Sequence, residues 1–75
     1  MQIIPKEKER TILVDAASSS TTYVGIGKLG SDESQAVWQI FRINTASNVT
    51  KVQFADSNEN FDNVWADRAS LTYAD

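Results

Sequence analysis

Cysteine and histidine are both absent from this 75-residue chain, and proline occurs once. Without cysteine the chain has neither a disulfide framework nor a thiolate zinc site. Without histidine it lacks the commonest metal ligand and the commonest general base. A domain this small buries only about 60% of the surface that it exposes when unfolded. Since disulfides and metals are the usual aids to so small a core, oligomerisation or docking on a larger partner is the aid that remains.

Long apolar runs and dense basic patches are also missing. Residues 1–5, MQIIP, contain two adjacent isoleucines, too few for a signal peptide or a membrane span. The one basic cluster, KEKER at residues 6–10, is interrupted by glutamates, and the formal net charge is -3. These features predict a soluble, intracellular protein that binds neither membranes nor nucleic acid. They also predict an N-terminal arm at residues 1–10, with Ile3 and Ile4 suited to lying on a neighbour, and one small domain at residues 11–75.

The chain does contain segments with strand-like patterns. An apolar run at residues 11–16 predicts a first strand, and alternation at residues 22–28 predicts a second, whose glycine face lies close to another backbone. The segment AVWQIFRIN at residues 36–44, a TASN turn and the alternating segment VTKVQFAD at residues 49–56 predict a β-hairpin.

The segment at residues 36–44 is apolar on both faces when it is arranged as a strand. Strands have this pattern when each side of the sheet is covered. The small domain itself covers one side, so the other side requires the C-terminal segment, barrel closure or a neighbouring chain. A helix that begins at Ser31 or Ser34 is the alternative for this segment.

The apolar spacing changes after residue 60. Phe61, Val64, Trp65 and Arg68 fit one face of a helix, with Asn60 as its N-cap. The whole pattern predicts a mainly all-β domain, a small antiparallel barrel or compact sandwich of four to five strands, with one short helix near residues 61–69.

Large aromatic side chains are the most distinctive feature of the C-terminal part. Tryptophan, tyrosine and arginine are enriched both in small cores and in interface hot spots. Arg68 is one helical turn from Trp65, where it can stack on the indole or pair with a carboxylate. The residues predicted to close the core or to contact a partner are Trp38, Phe61, Trp65, Arg68 and Tyr73.

Two motifs match functional patterns only in part. The glycines of GIGKLG have the spacing of a dinucleotide fingerprint, but Asp32 and Glu33 stand where the phosphate-binding helix would begin and would repel an anion. The segment at residues 56–67 resembles a calcium loop, but Phe61 replaces its glycine and Asp67 its closing glutamate. Asx turns are a second explanation of the same residues. The sequence does not decide between calcium binding and turns for this loop.

No catalytic constellation is evident from the sequence. The serines have no histidine to activate them, and a cleft for paired carboxylates is hard to enclose in so small a domain. The sequence therefore predicts a protein that is not an enzyme, without a cofactor or a metal.

The stretches YVGIGKLGSDESQAVWQIFRI (residues 23–43) and FADSNENFDNVWADRASLTY (residues 54–73) together resemble a group of small proteins from tailed bacteriophages and environmental viral genomes. The resemblance covers about residues 22–73, and its most specific part is the ending FDN-x-W-x-x-R-A-S-L. Two positions depart from the group: Leu29 replaces a proline, and Ser57 replaces a turn glycine. The matching residues are Tyr23, Val24, Gly25, Val37, Trp38, Gln39, Ile40, Arg42, Ala55, Asp56, Phe61, Asp62, Asn63, Trp65, Arg68, Ala69, Ser70 and Leu71.

This resemblance implies a structural or assembly subunit of a bacteriophage particle, in the head, neck, tail or decoration, with no assigned active site. The implied partners are the protein itself, as a homo-oligomer, or a larger virion protein. The implied location is the virion, or the host cytoplasm during assembly. The alternative is a small monomeric phage-encoded protein that binds or inhibits a host protein through the acidic loops around Asp32 and Asp56.

Overall fold

The computed structural model describes residues 10–73, which are mainly β-structure. The first four strands form an antiparallel meander in the order β1-β2-β3-β4, and β5 pairs with the first residues of β3. The sheet is open and is not closed into a barrel. The elements are β1 (Arg10–Asp15), β2 (Thr21–Lys28), β3 (Ala36–Ala46), β4 (Val49–Phe54), β5 (Asn63–Val64) and a 3-10 helix (Trp65–Ser70).

The mainly β fold, the antiparallel pairing and the hairpin are therefore confirmed. The hairpin between β3 and β4 turns at Ser47 and Asn48, whose φ angles are 50° and 67°. Two consecutive left-handed residues are what a two-residue hairpin turn of type I′ requires. This turn sets a register in which Ala46 lies opposite Val49.

The register sorts the side chains onto two faces, because successive residues of a strand point to opposite sides of the sheet. On the first side, which we call the covered face, Leu13, Tyr23 and Ile40 pack under the 3-10 helix and the residues that follow it. Trp38 and Ile40 are fully buried there, and Trp65 of the helix is 4% exposed.

Glycines of β2 make room for the two indole rings on the covered face. A Cβ atom at Gly27 would lie 2.8 Å from Cε3 of Trp38, and one at Gly25 would overlap Cε3 of Trp65. The sequence predicted that these glycines approach another backbone; that prediction is wrong, since they approach aromatic side chains. Both indoles consequently lie directly against the sheet.

The C-terminal helix differs from the predicted one in type, length and cap. It is a 3-10 helix that begins at Trp65, after a residue in extended conformation, and no side chain caps it. Asn60 is not the cap, and its backbone N–H instead donates to Oδ1 of Asn58 at 2.9 Å. The cause is Asn63, which is 3% exposed and holds this segment on β3 through strand pairing and a bond from Nδ2 to the carbonyl oxygen of Trp38.

The turn after β4 contains one of the two positions that depart from the pattern of the phage group. Asp56 and Ser57 have φ angles of 57° and 59°, in the left-handed region. Glycine adopts this region without steric cost, whereas serine does not. The position at which the resemblance implies glycine is thus one where the backbone favours it. Leu29, the other departure, is exposed and precedes Gly30, whose φ is 87°.

Candidate functional site

The second side of the sheet, which we call the open face, is apolar across all four long strands. The register aligns Val14, Val24, Phe41 and Phe54 in one row. The adjoining rows on the same side add isoleucines and a valine, together with the polar residues Gln39 and Thr22. The apolar residues of the open face are Ile12, Val14, Val24, Ile26, Phe41, Ile43, Val52 and Phe54.

No strand or helix between residues 10 and 73 covers the open face, although Nε2 of Gln39 donates to the carbonyl oxygen of Glu59 at 2.9 Å on this side. Ile12, Val14 and Val52 are 60%, 65% and 56% exposed. The rings of Phe41 and Phe54 contact each other with centroids 5.4 Å apart, so they cover part of one another but leave their outer sides open. Contiguous exposed apolar patches of this kind mark interaction sites on soluble proteins.

The size of the open face follows from strand geometry. Four strands spaced about 4.8 Å apart span about 19 Å, and six residues extend about 20 Å, so the footprint is roughly 400 Å². This is as large as the biggest apolar patch on a typical monomer, about 300–600 Å², which is often functional.

Polar side chains bound the open face at both ends. At one end Arg10 and Lys28 are cross-strand partners. At the other end the hydroxyls of Thr45 and Thr50 are 2.9 Å apart. The interior of the face contains no ionisable side chain, so a partner can cover it without burying a charge.

A cleft of about 460 Å³ continues the open face at the Arg10 end. Phe61, which is 48% exposed, lies in this cleft rather than beside Trp65 on the covered face. The cleft therefore combines an apolar floor with two basic side chains. Its lining residues are Arg10, Lys28, Ser31, Gln35, Val37 and Phe61.

The two tryptophans lie on the covered face and close the core. Their ring centroids are 6.4 Å apart, with the planes inclined by 48°. Nε1 of Trp38 donates to the carbonyl oxygen of Asp32 at 2.9 Å, so the buried indole has a partner. Since both rings are buried, a partner protein cannot contact either of them directly.

Arg68 holds the 3-10 helix against β1. Its Nε donates to Oδ2 of Asp15 at 2.9 Å, and its guanidinium carbon lies 4.6 Å from the centre of the Trp65 ring. The sequence predicted either stacking on the indole or pairing with a carboxylate, and the structure has both. These two contacts of Arg68 stabilise the covered face and do not involve the open face.

Tyr73 fastens the end of the described chain to the sheet. Its hydroxyl donates to the carbonyl oxygen of Arg68 at 2.7 Å, and its ring lies 5.7 Å from that of Tyr23 and 4.9 Å from the guanidinium carbon of Arg42. The residue also forms an isolated β-bridge with Ala55. Burial, with a contribution from Tyr23, raises the pKa of Tyr73 to about 12, although Arg42 and Arg68 oppose the shift.

This pKa predicts how stability changes at high pH. Because the folded pKa is raised from 10.0 to about 12, the fold favours the neutral phenol. The stabilisation is complete below pH 10 and is lost as the pH rises through about 12. We expect Tyr73→Phe to lose less stability than the parent between these pH values, as measured by urea unfolding. A parent and variant that weaken in parallel would contradict this expectation.

The sequence-predicted site residues separate onto the two sides of the sheet. Trp38, Trp65, Arg68 and Tyr73 gather on the covered face, whereas Phe61 alone lines the cleft of the open side. Ile3 and Ile4 of the predicted arm lie outside the described residues.

The open face itself was not among the predicted site residues. A signal for it was present in the sequence, because Val24 and Ile26 alternate with the glycines of β2, and Val52 and Phe54 alternate with Lys51 and Gln53.

The segment at residues 56–67 forms turns. Nδ2 of Asn58 donates to the carbonyl oxygen of Asp56 at 3.2 Å, and its Oδ1 accepts from the N–H of Asn60. The second of these bonds is that of an Asx turn, and both hold the side-chain amide of Asn58 within the turn. Within the part of the chain that the structure describes, no three acidic, histidine or cysteine side chains are grouped closely enough to hold a metal ion.

The loop around Asp32 is attached to the core. Besides the bond from Trp38, the N–H of Asp32 donates to Oε1 of Gln35 at 2.9 Å. The carbonyl oxygen of Glu33 accepts from the N–H of Ala66 at 3.1 Å. The acidic residues of this loop thus stand on a segment that supports the covered face.

No protein-family model matches the chain, and neither a curated protein nor a solved structure matches it. None of the helices found between residues 10 and 73 is long and apolar enough to cross a membrane.

Proposed function

We propose that the protein is a non-enzymatic structural or assembly subunit of a tailed-bacteriophage particle, which acts through protein–protein contacts. The observation that carries the proposal is the open face, an apolar surface of four strands that no other described element covers. The proposed contact residues are those of the open face, whereas Trp38 and Trp65, predicted to close the core or to contact a partner, lie in the core.

The energetics of the open face support association. Covering the exposed side chains of Ile12, Val14 and Val52 removes apolar surface from water, which favours association by about 25 cal/mol per Å² of apolar surface. Association costs about 4–15 kcal/mol in lost translational and rotational freedom, before side-chain ordering. An apolar face without an interior ionisable side chain opposes this cost with a gain that is not reduced by burying a charge.

The chemistry of the side chains supports a role without catalysis. Histidine and cysteine are absent from the sequence. Burial raises the pKa of the Tyr73 phenol, whose hydroxyl donates a structural hydrogen bond to the carbonyl oxygen of Arg68. A raised pKa makes this group less reactive as a nucleophile or base at neutral pH.

The assignment to a phage particle rests on the resemblance of residues 22–73. The test is to band particles of the virus that encodes the chain on a density gradient and to measure the chain by quantitative mass spectrometry. We expect a constant ratio of this chain to the major capsid protein across the particle band. A non-structural viral protein of similar mass is the control and remains in the soluble fraction.

Recovery of the chain only from the soluble fraction would overturn the proposal. That result would favour the free monomeric inhibitor of a host protein instead.

A further inference from the structure

We infer that the open face is covered by the open face of a second copy, so that the protein forms a face-to-face dimer of two sheets. This inference rests on the proposed function, because it names the first partner of the surface through which the subunit acts. It makes the dimer the building block that is incorporated into a particle.

Residues 1–9 supply too little apolar surface to cover the open face. Of residues 1–9, only Met1, Ile3, Ile4 and Pro5 are apolar, and residues 6–9, which lead into Arg10, are all charged. An extended segment covers a width of about one strand spacing, about 4.8 Å of a face about 19 Å wide. Most of the face therefore needs a partner as wide as the sheet.

A second sheet of the same kind is such a partner. Two sheets pack face to face about 10 Å apart with their strands inclined by about 30°, an angle that arises from the twist of each sheet. Two copies have identical twist, and their rows of β-branched and aromatic side chains interdigitate as in the core of a β-sandwich. A two-fold axis closes this contact, so association stops at the dimer.

The distribution of charge permits this packing. Among the strand residues on this side of the sheet, the charged ones are Arg10 and Lys28, and they are cross-strand partners at one end. They remain at the rim, in water, when two sheets are stacked. A face with an interior charge would instead leave that charge buried without a partner, which costs several kcal/mol.

The area predicts a dimer that dissociates on dilution. Two footprints of roughly 400 Å² bury about 800 Å² as flat surfaces, and more once the side chains interdigitate. Specific interfaces begin at about 1,000 Å², and those near this limit are weak or transient. A dissociation constant in about the micromolar range is therefore expected.

Single lysine substitutions on strand β4 supply a matched test. Val52 and Val49 are both valines of β4, and their exposed fractions are 56% and 55%. Val52 belongs to the open face, whereas Val49, the partner of Ala46, lies on the opposite side. We expect Val52→Lys to weaken dimerisation about 100-fold, because each dimer then places two ammonium groups in an apolar interface. Val49→Lys is expected to leave it unchanged.

Sedimentation velocity over a concentration series measures the dimer, and circular dichroism checks that each variant is folded. Val14→Lys, on the far edge strand β1, is expected to weaken dimerisation as Val52→Lys does. If the dimer instead formed by pairing of the two β1 edge strands, Val52→Lys would leave dimerisation unchanged. That result would overturn the face-to-face arrangement. A parent protein that stays monomeric up to millimolar concentration would overturn the dimer altogether.

Incorporation into particles separates this inference from the proposed function. If the parent is monomeric but Val52→Lys still blocks incorporation, the dimer is wrong and the assembly role stands. If Val52→Lys abolishes the dimer but is incorporated normally, the dimer stands and the assembly role of the open face is wrong.

Discussion

Trp38→Ala is expected to lower the free energy of unfolding by about 3–5 kcal/mol, the cost of replacing a buried tryptophan with alanine. A core of this size rarely supplies more than about 3–5 kcal/mol of stability, so the loss removes most of it. Trp38 is fully buried and gives its indole hydrogen bond to the carbonyl oxygen of Asp32. The cavity cannot be filled from the adjacent strand, because Gly27 beneath the ring has no side chain.

Urea unfolding followed by far-ultraviolet circular dichroism measures this loss. Phe61→Ala is the matched control, since it also removes an aromatic ring but one that is 48% exposed. We expect the control to lose less than about 1 kcal/mol, because a half-exposed side chain leaves little cavity. Comparable losses in the two variants, at a concentration where both are monomers, would show that Trp38 does not carry the core.

The strands were predictable from the sequence because alternation and a two-residue turn are local signals. The hairpin turn at Ser47 and Asn48 connects two segments of opposite alternation, and its length fixes their register. Registers between β1 and β2 depend on a longer loop, and no local signal in the sequence gives them. The division into a covered and an open face depends on all three registers together.

The side on which the C-terminal segment packs was not predictable from apolar spacing alone. Phe61, Val64, Trp65 and Arg68 have helical spacing, but a short strand followed by a 3-10 turn also brings Trp65 and Arg68 together. Phe61 then points to the cleft on the opposite side.

The glycines of β2 indicate which side of the sheet the C-terminal segment covers. Gly25 and Gly27 occupy alternate positions of the strand, so they clear one side of the sheet for large rings. The residues between and before them, Ile26 and Val24, are thereby assigned to the other side. When one side of a strand carries glycines and the other side carries apolar residues, the glycine side predicts where the tryptophans pack and the apolar side predicts the open face.

Gly25→Ala is expected to destabilise the fold by about 1–3 kcal/mol, which is typical of overpacking a filled core. The added methyl group would overlap Cε3 of the Trp65 ring, and that ring is held in place by the Arg68 guanidinium stacked on it. Trp65→Ala alone is expected to cost about 3–5 kcal/mol through the cavity that it leaves.

The double variant Gly25→Ala/Trp65→Ala tests whether this clash is the cause. Without the indole the methyl group fills part of the cavity, so the double variant should be more stable than the sum of the single losses predicts, by about 1 kcal/mol or more. Because these losses approach the whole stability of so small a core, all variants are compared in the same sucrose-containing buffer, which strengthens effective burial. Strict additivity would mean that Gly25 is needed for its backbone and not for the space above it.

Gly30→Ala provides the contrast that isolates steric overlap from backbone strain. A Cβ atom at Gly30 has no neighbour within 4 Å, but the φ angle of 87° is unfavourable for alanine. Its cost, about 1–2 kcal/mol, comes from the backbone alone and should add to that of Trp65→Ala without coupling. Coupling at Gly25 together with additivity at Gly30 would show that direct packing of the Trp65 indole on β2 determines which side of the sheet is covered.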